Sequence, residues 1–189
     1  LAVALSGIIG VICSVMVYDD CKKELWRGSI TGLKFFGTSL VLGLSTIALA
    51  SLGGVYFLKP EYAADVAQVY TGKLAILLIM ASIAKLAWEG SIFRHLKSKT
   101  YSMEKRSAML MTNHLIMATR LRYAAGLIGG VVLPFILYNL SQKAVINLVD
   151  LKGMFIVATI TFSLTLLGEL CERYLFFAAI VSKKMPGDV

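Results

Sequence analysis

The stretch LLGELCERYLFFAAIVSKKMP, residues 166–186, places two carboxylates and an arginine inside an apolar run long enough to cross a bilayer. Glu169 and Arg173 are four residues apart and Glu172 is three from Glu169, so a helix presents all three on one face. Charged groups are costly in hydrocarbon and normally face a bundle interior, a partner or a functional pathway. The stretch therefore predicts a membrane helix with a polar face, around which the other helices pack.

The composition of the chain indicates a helical membrane protein. Its 189 residues are 58% hydrophobic and 16% charged, whereas soluble domains carry about 25% charged residues. The formal net charge is +8, but the basic residues collect in alternate connections, as in membrane proteins, and not in a nucleic-acid patch. We predict an all-α, polytopic transmembrane bundle formed by a single membrane domain over residues 1–189. Its surroundings are the lipid bilayer, and no nucleic acid is expected as a partner.

Five apolar segments are long enough to cross a bilayer as helices. They cover residues 1–18, 35–57, 72–88, 123–140 and 153–181. Residues 107–119 are also apolar, but a helix of this length is roughly 20 Å long and too short to cross. We therefore predict five spans and one interfacial or re-entrant helix.

Lysine and arginine are concentrated in the connections after the first and third spans. The first of these holds Lys22, Lys23, Arg27 and Lys34, and the second holds Arg94, Lys97, Lys99, Lys105, Arg106, Arg120 and Arg122. The other two connections hold Lys59, Lys73, Lys143 and Lys152, and the C-terminal tail adds Lys183 and Lys184. The positive-inside rule places the two basic connections and the C-terminal tail on the cytoplasmic side.

Glu169 and Glu172 are the candidate proton acceptors of the chain. A carboxylate in a partly dry environment is able to accept and release protons near neutral pH. The alternative for Glu169 is an ion pair with Arg173, one helical turn away, that fixes helix packing. Glu172 has no cation four residues further on, so the sequence leaves it without a helical partner.

Lys85 and Glu89 form a second charged pair near the end of the third predicted span. A lysine four residues before a glutamate is the weaker orientation for a helical pair. We therefore expect Lys85 to pair across helices with Glu169 or Glu172. The alternative is that the lysine side chain extends along its helix and places its ammonium group at the nearby membrane interface.

Asn113 and His114 lie in the short apolar segment between the third and fourth spans. The imidazole of His114 is a candidate hydrogen-bond partner for a quinone carbonyl, and a histidine that only lies at the interface is the alternative. His95 lies in a basic connection, so neither histidine is placed to ligate a transmembrane haem. The three cysteines show no paired spacing that would predict an iron–sulfur cluster. We predict no intrinsic cofactor and no metal site.

Three stretches of the chain carry a resemblance to a known family. They are CSVMVYDDCKKELWRGSITGLKFFGTSLVLG (residues 13–43), the run that ends in RLRYAAGLIGGVVLP (residues 105–134), and GELCERYLFFAAIVSKKMPG (residues 168–187). Together they resemble the membrane anchor subunit of dimethyl sulfoxide reductase-type molybdopterin oxidoreductases, over most of the chain and in order. Family members commonly show an Asp-Thr-Arg-Arg-like run where this chain has Asp20-Cys21-Lys22-Lys23, which keeps the charge but loses the bidentate geometry of arginine.

The resemblance implies a haem-free helical bundle in the prokaryotic inner (cytoplasmic) membrane. Such a subunit anchors an iron–sulfur electron-transfer subunit and a molybdopterin catalytic subunit, and it exchanges electrons with the quinone pool during anaerobic respiration. Quinone or quinol is then the substrate, and molybdopterin and iron–sulfur clusters belong to the partner subunits. Family members have more helices, so we expect residues 1–189 to be the C-terminal part of a longer anchor subunit.

Under this interpretation Glu169 or Glu172 accepts quinol protons. The candidate quinol-binding residues are His114, Asn113, Lys85, Glu89 and Arg173. Two other functions remain open. A secondary transporter would use Lys85, Glu89, Glu169 and Arg173 as a charge relay, and broken helices and symmetric halves would favour it. A purely structural anchor would use the polar face only to contact neighbouring helices.

Overall fold

The computed structural model describes residues 2–21, 23, 26–58, 65–97, 102–142 and 148–180, and every regular element in this part of the chain is helical. Helices α1 to α7 are Ala2–Asp20, Gly28–Phe57, Gly72–Gly90, Met103–Thr112, Ile116–Leu127, Leu133–Ser141 and Leu148–Ala178. A π-helical turn, Val66–Thr71, leads into α3, a 3₁₀ segment, Ser91–Lys97, follows it, and a second π-helical turn, Ile128–Val132, joins α5 to α6. Among the residues used to predict topology, Lys22, Lys59, Lys99, Lys143, Lys183 and Lys184 lie outside the described residues.

Five helical segments of the described chain are long and apolar enough to cross a membrane. They are Ala2–Asp20, Gly28–Phe57, Val69–Lys97, Ile116–Ser141 and Val149–Ala178. The predicted all-α fold with five spans is therefore confirmed. In the fourth span, Pro134 lies just after the second π-helical turn. Because proline has no N–H and its ring crowds the preceding turn, the wider π-helical geometry allows the span to continue through it.

The boundaries predicted for the short helix, residues 107–119, are wrong. Helix α4 ends at Thr112, the chain turns, and α5 begins at Ile116 as the first part of the fourth span. Asparagine and histidine are weak helix formers and stand at the turn. The Thr119 hydroxyl donates to the Met111 carbonyl oxygen at 2.9 Å and ties the two helices together. The fourth span therefore starts before Arg120 and Arg122 and includes both.

The two ends of the bundle each have an apolar cluster. At one end Met111, Leu175 and Ala179 pack with Trp26 and Phe93. This cluster joins the connection after α1, the segment after α3 and the end of α7, and we name this end the basic end. A second cluster, formed by Leu52, Val55, Ala67, Leu137, Leu151, Met154 and Ala158, lies at the other end. The two basic connections thus share one end of the bundle, which confirms the relative placement predicted from the lysine and arginine pattern.

Helix α7 is the centre of the bundle, and α1 is its periphery. α7 packs against α2, α5 and α6, whereas α1 packs against α2. No described residue of α1 is buried. At the basic end the Tyr18 ring of α1 makes edge contacts with Trp26, Phe35 and Phe176, which attach α1 to the bundle. α7 therefore lies inside the bundle, between α2, α5 and α6.

Glycines bring α5 close to its neighbours, as the Gly126 and Gly130 spacing indicates. A Cβ added at Gly129 would lie 2.8 Å from Leu164 Cβ and 2.9 Å from the Thr165 amide nitrogen. At Gly126 a Cβ would lie 3.0 Å from a Leu86 methyl group. The absence of side chains here lets the fourth span reach the backbone of α7.

We expect Gly129→Ala to lower the stability of the chain, by about 1–3 kcal/mol for an overpacked core. The new methyl group would meet the backbone of α7, which cannot move without displacing the helix. Gly43→Ala is the matched control, because a Cβ there has no heavy atom within 4 Å. The measurement is the thermal midpoint of each variant in detergent. Equal midpoints for the two variants would contradict the close approach.

Candidate site: a buried charged network

Six charged side chains meet inside the half of the bundle nearest the basic end. They are Lys34 of α2, Lys85 and Glu89 of α3, Arg122 of α5, and Glu169 and Glu172 of α7. We name this set the charged network. Each of the six side chains is at most 12% exposed, and their formal charges cancel. Glu169 is about 14 Å along α7 from the end of that helix, so the network lies within the membrane-spanning part.

The deepest part of the network is centred on Glu169. Its Oε2 accepts hydrogen bonds from the Lys85 ammonium group and from the Thr38 hydroxyl, the latter at 2.7 Å. Its Oε1 lies 3.2 Å from an Arg122 guanidinium nitrogen. Lys85 also donates to Thr38 at 2.7 Å. Both carboxylate oxygens of Glu169 are therefore held by groups from three other helices.

Arg122 and Glu89 form the most regular pair in the network. The Arg122 Nε and Nη2 atoms donate to the two carboxylate oxygens of Glu89, each at 2.9 Å. This bidentate arrangement is the strongest geometry between arginine and a carboxylate. Lys85 Nζ lies 3.6 Å from Glu89 Oε1, so the helical pair in α3 is present but long.

Glu172 is held more loosely than the other two carboxylates. Lys34 Nζ lies 3.3 Å from its Oε1, and Lys85 Nζ lies 3.8 Å from its Oε2. Oε1 is buried and accepts no hydrogen bond from the part of the chain that the structure describes. The sequence offers Glu172 no cation one turn further along its own helix, and its partners come instead from α2 and α3.

The alternative of an ion pair between Glu169 and Arg173 is wrong. The cations of α3 and α5 occupy the Glu169 carboxylate. The Arg173 guanidinium lies instead over the Phe35 ring, 3.7 Å from its centroid. Arginine stacks well on an aromatic face because its charge is delocalised and weakly hydrated. Arg173 therefore contacts α2 beside the network.

The structure confirms that Lys85 pairs across helices. Its ammonium group contacts Glu169 and Glu172 of α7, as the orientation of the Lys85–Glu89 pair predicts. The alternative, a lysine that reaches the membrane interface, is wrong because Lys85 is only 7% exposed and points into the bundle. Lys85 is the one described cation that approaches all three carboxylates of the network within 4 Å.

Sequence reasoning missed Lys34, Thr38 and Arg122 as members of the site. Lys34 and Arg122 fall in connections when the spans are drawn from hydropathy alone, whereas Thr38 lies within the second predicted span. A signal for Arg122 does exist in the sequence. Thr119, Arg122, Gly126 and Gly129 recur at helical spacing and form one stripe of small and polar residues. Such a stripe is typical of a face that packs against another helix and not of a loop.

Two of the larger cavities formed by the described residues border the charged network. The first, which we name the lateral groove, has a volume of about 440 Å³ and lies between α2 and α3. Its rim includes Leu33, Leu40 and Trp88, each about half exposed on the outer surface of the bundle. Its inner wall includes Lys85 and Glu89. The lateral groove therefore leads from the lipid-facing surface to the network.

The second cavity, which we name the basic-end cavity, has a volume of about 120 Å³. Its wall includes Arg122, Glu172, His95 and Glu104. Lys34, Trp88 and Glu89 line both cavities and separate them. The network thus lies between a groove that faces lipid and a cavity that faces the basic end.

The structure does not bring Asn113 and His114 to the network. Both are exposed in the turn between α4 and α5. They are not among the residues that line the lateral groove or the basic-end cavity. Their assignment as quinol ligands stays a prediction. Of the quinol-binding candidates, only Lys85 and Glu89 line the lateral groove.

No protein-family model, curated protein or solved structure matches the chain.

The chemistry open to this site is that of acids, bases and hydrogen-bond donors. Among the described residues no group of three or more His, Cys, Asp or Glu side chains is placed to hold a metal ion. Cys13, Cys21 and Cys171 are free thiols. The site thus combines charged and hydrogen-bonding groups with an adjoining apolar groove.

Proposed function

We propose that the chain is a haem-free membrane subunit that exchanges electrons with the quinone pool in a molybdopterin and iron–sulfur oxidoreductase complex. The observation that carries the proposal is the meeting of the lateral groove and the basic-end cavity at Glu89 and Lys34. A quinol is an apolar molecule with a polar head, and it reaches its enzyme from within the bilayer. A groove open to lipid with charged groups at its inner wall fits such a substrate.

The size and lining of the lateral groove support a quinol head group as its ligand. Small-molecule sites have volumes of about 300–1,000 Å³, mostly apolar walls and a few convergent polar groups. The groove has about 440 Å³, with Leu33, Phe36 and Leu40 on one wall. The charged residues of the groove wall are Lys34, Lys85 and Glu89; in this proposal the two lysines donate to a quinone oxygen and Glu89 accepts from a quinol hydroxyl.

In this proposal side chains of this chain transfer the protons, and the partner subunit transfers the electrons. Oxidation of one quinol to quinone releases two electrons and two protons, and reduction of quinone takes up the same number. In this proposal the electrons pass to or from an iron–sulfur cluster of the partner subunit. Glu89 exchanges protons with the head group, and Glu172 is the second proton acceptor because it also lines the basic-end cavity. Glu169 positions Lys85 through their hydrogen bond.

The basic end is the proposed docking surface for the partner subunits. The described connections at this end carry Lys23, Arg27, Arg94 and Lys97. A positive surface favours association with a partner of complementary negative surface. Docking at this end also brings an electron acceptor to the side of the bundle where the charged network lies. In this proposal the chain lies in the inner membrane of a prokaryotic cell, and the positive-inside rule predicts that the basic end faces the cytoplasm.

We expect Ala84→Trp to raise the apparent KM for quinol by about tenfold or more, which corresponds to about 1.4 kcal/mol of lost binding. Ala84 lines the lateral groove, so an indole ring there would occupy the space of the head group. Ala87→Trp is the matched control, because Ala87 is also exposed on α3 but lines neither cavity. The measurement is quinol oxidation by the assembled complex over a range of concentrations of short-tailed ubiquinol and menaquinol analogues.

Similar KM values for Ala84→Trp and Ala87→Trp would show that quinol does not bind in the lateral groove. Purification of the chain from its native membrane, followed by metal analysis, tests the wider proposal. Iron together with molybdenum or tungsten in the purified complex supports it. A chain that purifies alone and transports a solute would favour the secondary transporter. A complex with metals and no dependence on quinol would favour the purely structural anchor.

A further inference from the structure

The basic-end cavity becomes more exposed from the network towards the outside. At its mouth the side chains of His95 and Glu104 are 44% and 39% exposed, and His95 Nδ1 lies 3.4 Å from Glu104 Oε2. Further in, Lys34 is 12% exposed. At the inner wall Glu89 is 8% and Glu172 is 5% exposed. The titratable groups thus form a series from solvent to the buried network.

The basic-end cavity is large enough to hold water, and part of its wall is polar. A single water needs roughly 10–15 Å³ of cavity and two to four polar partners. The basic-end cavity has about 120 Å³, and polar groups such as Ser91, Tyr123 and Arg122 form part of its wall. It therefore has room and partners for several waters, although Ile30, Ile92 and Leu175 make other parts of the wall apolar.

An unsatisfied carboxylate oxygen also points to water in the basic-end cavity. Glu172 Oε1 is buried and lacks a hydrogen-bond donor among the described residues, although Lys34 Nζ is 3.3 Å away. A buried charged oxygen without a hydrogen bond is costly, and an ordered water is the usual way to satisfy it. Glu172 lines the cavity, so a water inside the cavity is placed to donate to this oxygen.

We infer that the basic-end cavity is a water-filled proton path that joins Glu89 and Glu172 to solvent through His95 and Glu104. A proton on the Glu89 or Glu172 carboxyl passes to a cavity water, which transfers a proton to the His95 imidazole. His95 then releases its proton to bulk water and returns to the neutral form. Each step moves one proton and changes no redox state. The inference extends the proposed function, because it names the side of the membrane on which quinol protons leave.

Cysteine labelling tests for water in the cavity without using quinol. In a chain whose three cysteines are replaced by alanine, Thr119→Cys places a thiol in the wall of the cavity. Ser107→Cys is the control, because Ser107 is buried at the same end of the bundle but does not line the cavity. We expect methanethiosulfonate ethylsulfonate, a charged reagent added at the basic end, to modify Thr119→Cys at least about tenfold faster. Equal and slow modification of both would show a dry cavity and overturn the inference.

Chemical rescue tests the role of His95 in moving protons. We expect His95→Gln to lower quinol turnover on the order of tenfold, less than the 10²–10⁴-fold typical of a group that acts directly, because water partly replaces the imidazole. Added imidazole should restore turnover in His95→Gln and leave the unsubstituted complex unchanged. A loss that imidazole does not restore, or no loss at all, would show that His95 carries no protons.

The two tests separate the failure of the inference from that of the proposed function. Normal quinol turnover with a dry cavity and no effect of His95→Gln would overturn the path and leave the quinol site intact. Rapid labelling of Thr119→Cys in a complex that does not react with quinol would count against the quinol site. The same labelling would support a hydrated cavity, because its readout requires no quinol.

Discussion

Replacing Glu89 with glutamine should slow quinol-dependent turnover of the assembled complex by about 10²–10⁴-fold, the usual cost of losing a general base. Glu89 is the carboxylate that lines both the lateral groove and the basic-end cavity among the described residues. Glutamine keeps the size of the side chain and can still accept a hydrogen bond from Arg122. The measurement is quinol oxidation per assembled complex, beside activity with an artificial donor that bypasses the membrane subunit.

The other two carboxylates of the network are the comparison for Glu89→Gln. Glu172→Gln should also slow quinol turnover, because Glu172 lines the basic-end cavity. Glu169→Gln should instead lower the amount of assembled complex, because Glu169 holds Lys85 and Arg122 in the deepest part of the network. If Glu89→Gln and Glu172→Gln both assemble and oxidise quinol at the normal rate, the proton-acceptor role is wrong and the network is structural.

Replacing Arg122 with methionine should destabilise the bundle by about 3–5 kcal/mol, the range for removing one partner of a buried ion pair. Arg122 donates two hydrogen bonds to Glu89 and pairs with Glu169, so its loss leaves one more carboxylate than the remaining cations of the network can balance. Methionine fills a similar volume without charge. The measurement is the thermal midpoint and the yield of folded chain in detergent.

A second substitution separates the effect of charge from that of packing. Arg122→Met combined with Glu89→Gln removes one cation and one carboxylate, so the formal charges of the network cancel again. We expect the double variant to recover a large part of the stability lost in Arg122→Met, because the effects of substitutions within one ion-pair network on stability are not additive. Equal stability of the single and double variants would show that packing around Arg122, and not its charge, holds the helices together.

The spans and the polar face of α7 could be predicted from the sequence because both depend on local patterns. Runs of apolar residues longer than a bilayer is thick set the five spans, and the spacing of Glu169 and Glu172 sets their common face. The inward direction of Lys85 was also predictable, since a lysine before a glutamate is poorly placed to pair within its own helix.

The partners within the site could not be predicted, because they depend on how the helices pack. Glu169 pairs with Lys85 and Arg122 and not with Arg173, because two neighbouring helices place their cations against its carboxylate. Hydropathy alone starts the fourth span at residue 123 and leaves Arg122 in a connection, whereas α5 begins at Ile116. Lys34 was likewise assigned to a connection, although α2 begins at Gly28.

The division of the network among helices has a consequence for the biogenesis of the chain. Lys34 enters the membrane with α2 and Arg122 with α5, whereas Glu169 and Glu172 arrive with α7, the last of the described helices to be synthesised. A charged residue near the centre of an isolated span costs about 2.5–3.5 kcal/mol on insertion. Until α7 leaves the translocon, the earlier helices therefore carry three cations of the network and only one of its carboxylates, Glu89. Insertion of α7 is the step that brings the formal charges of the network to zero.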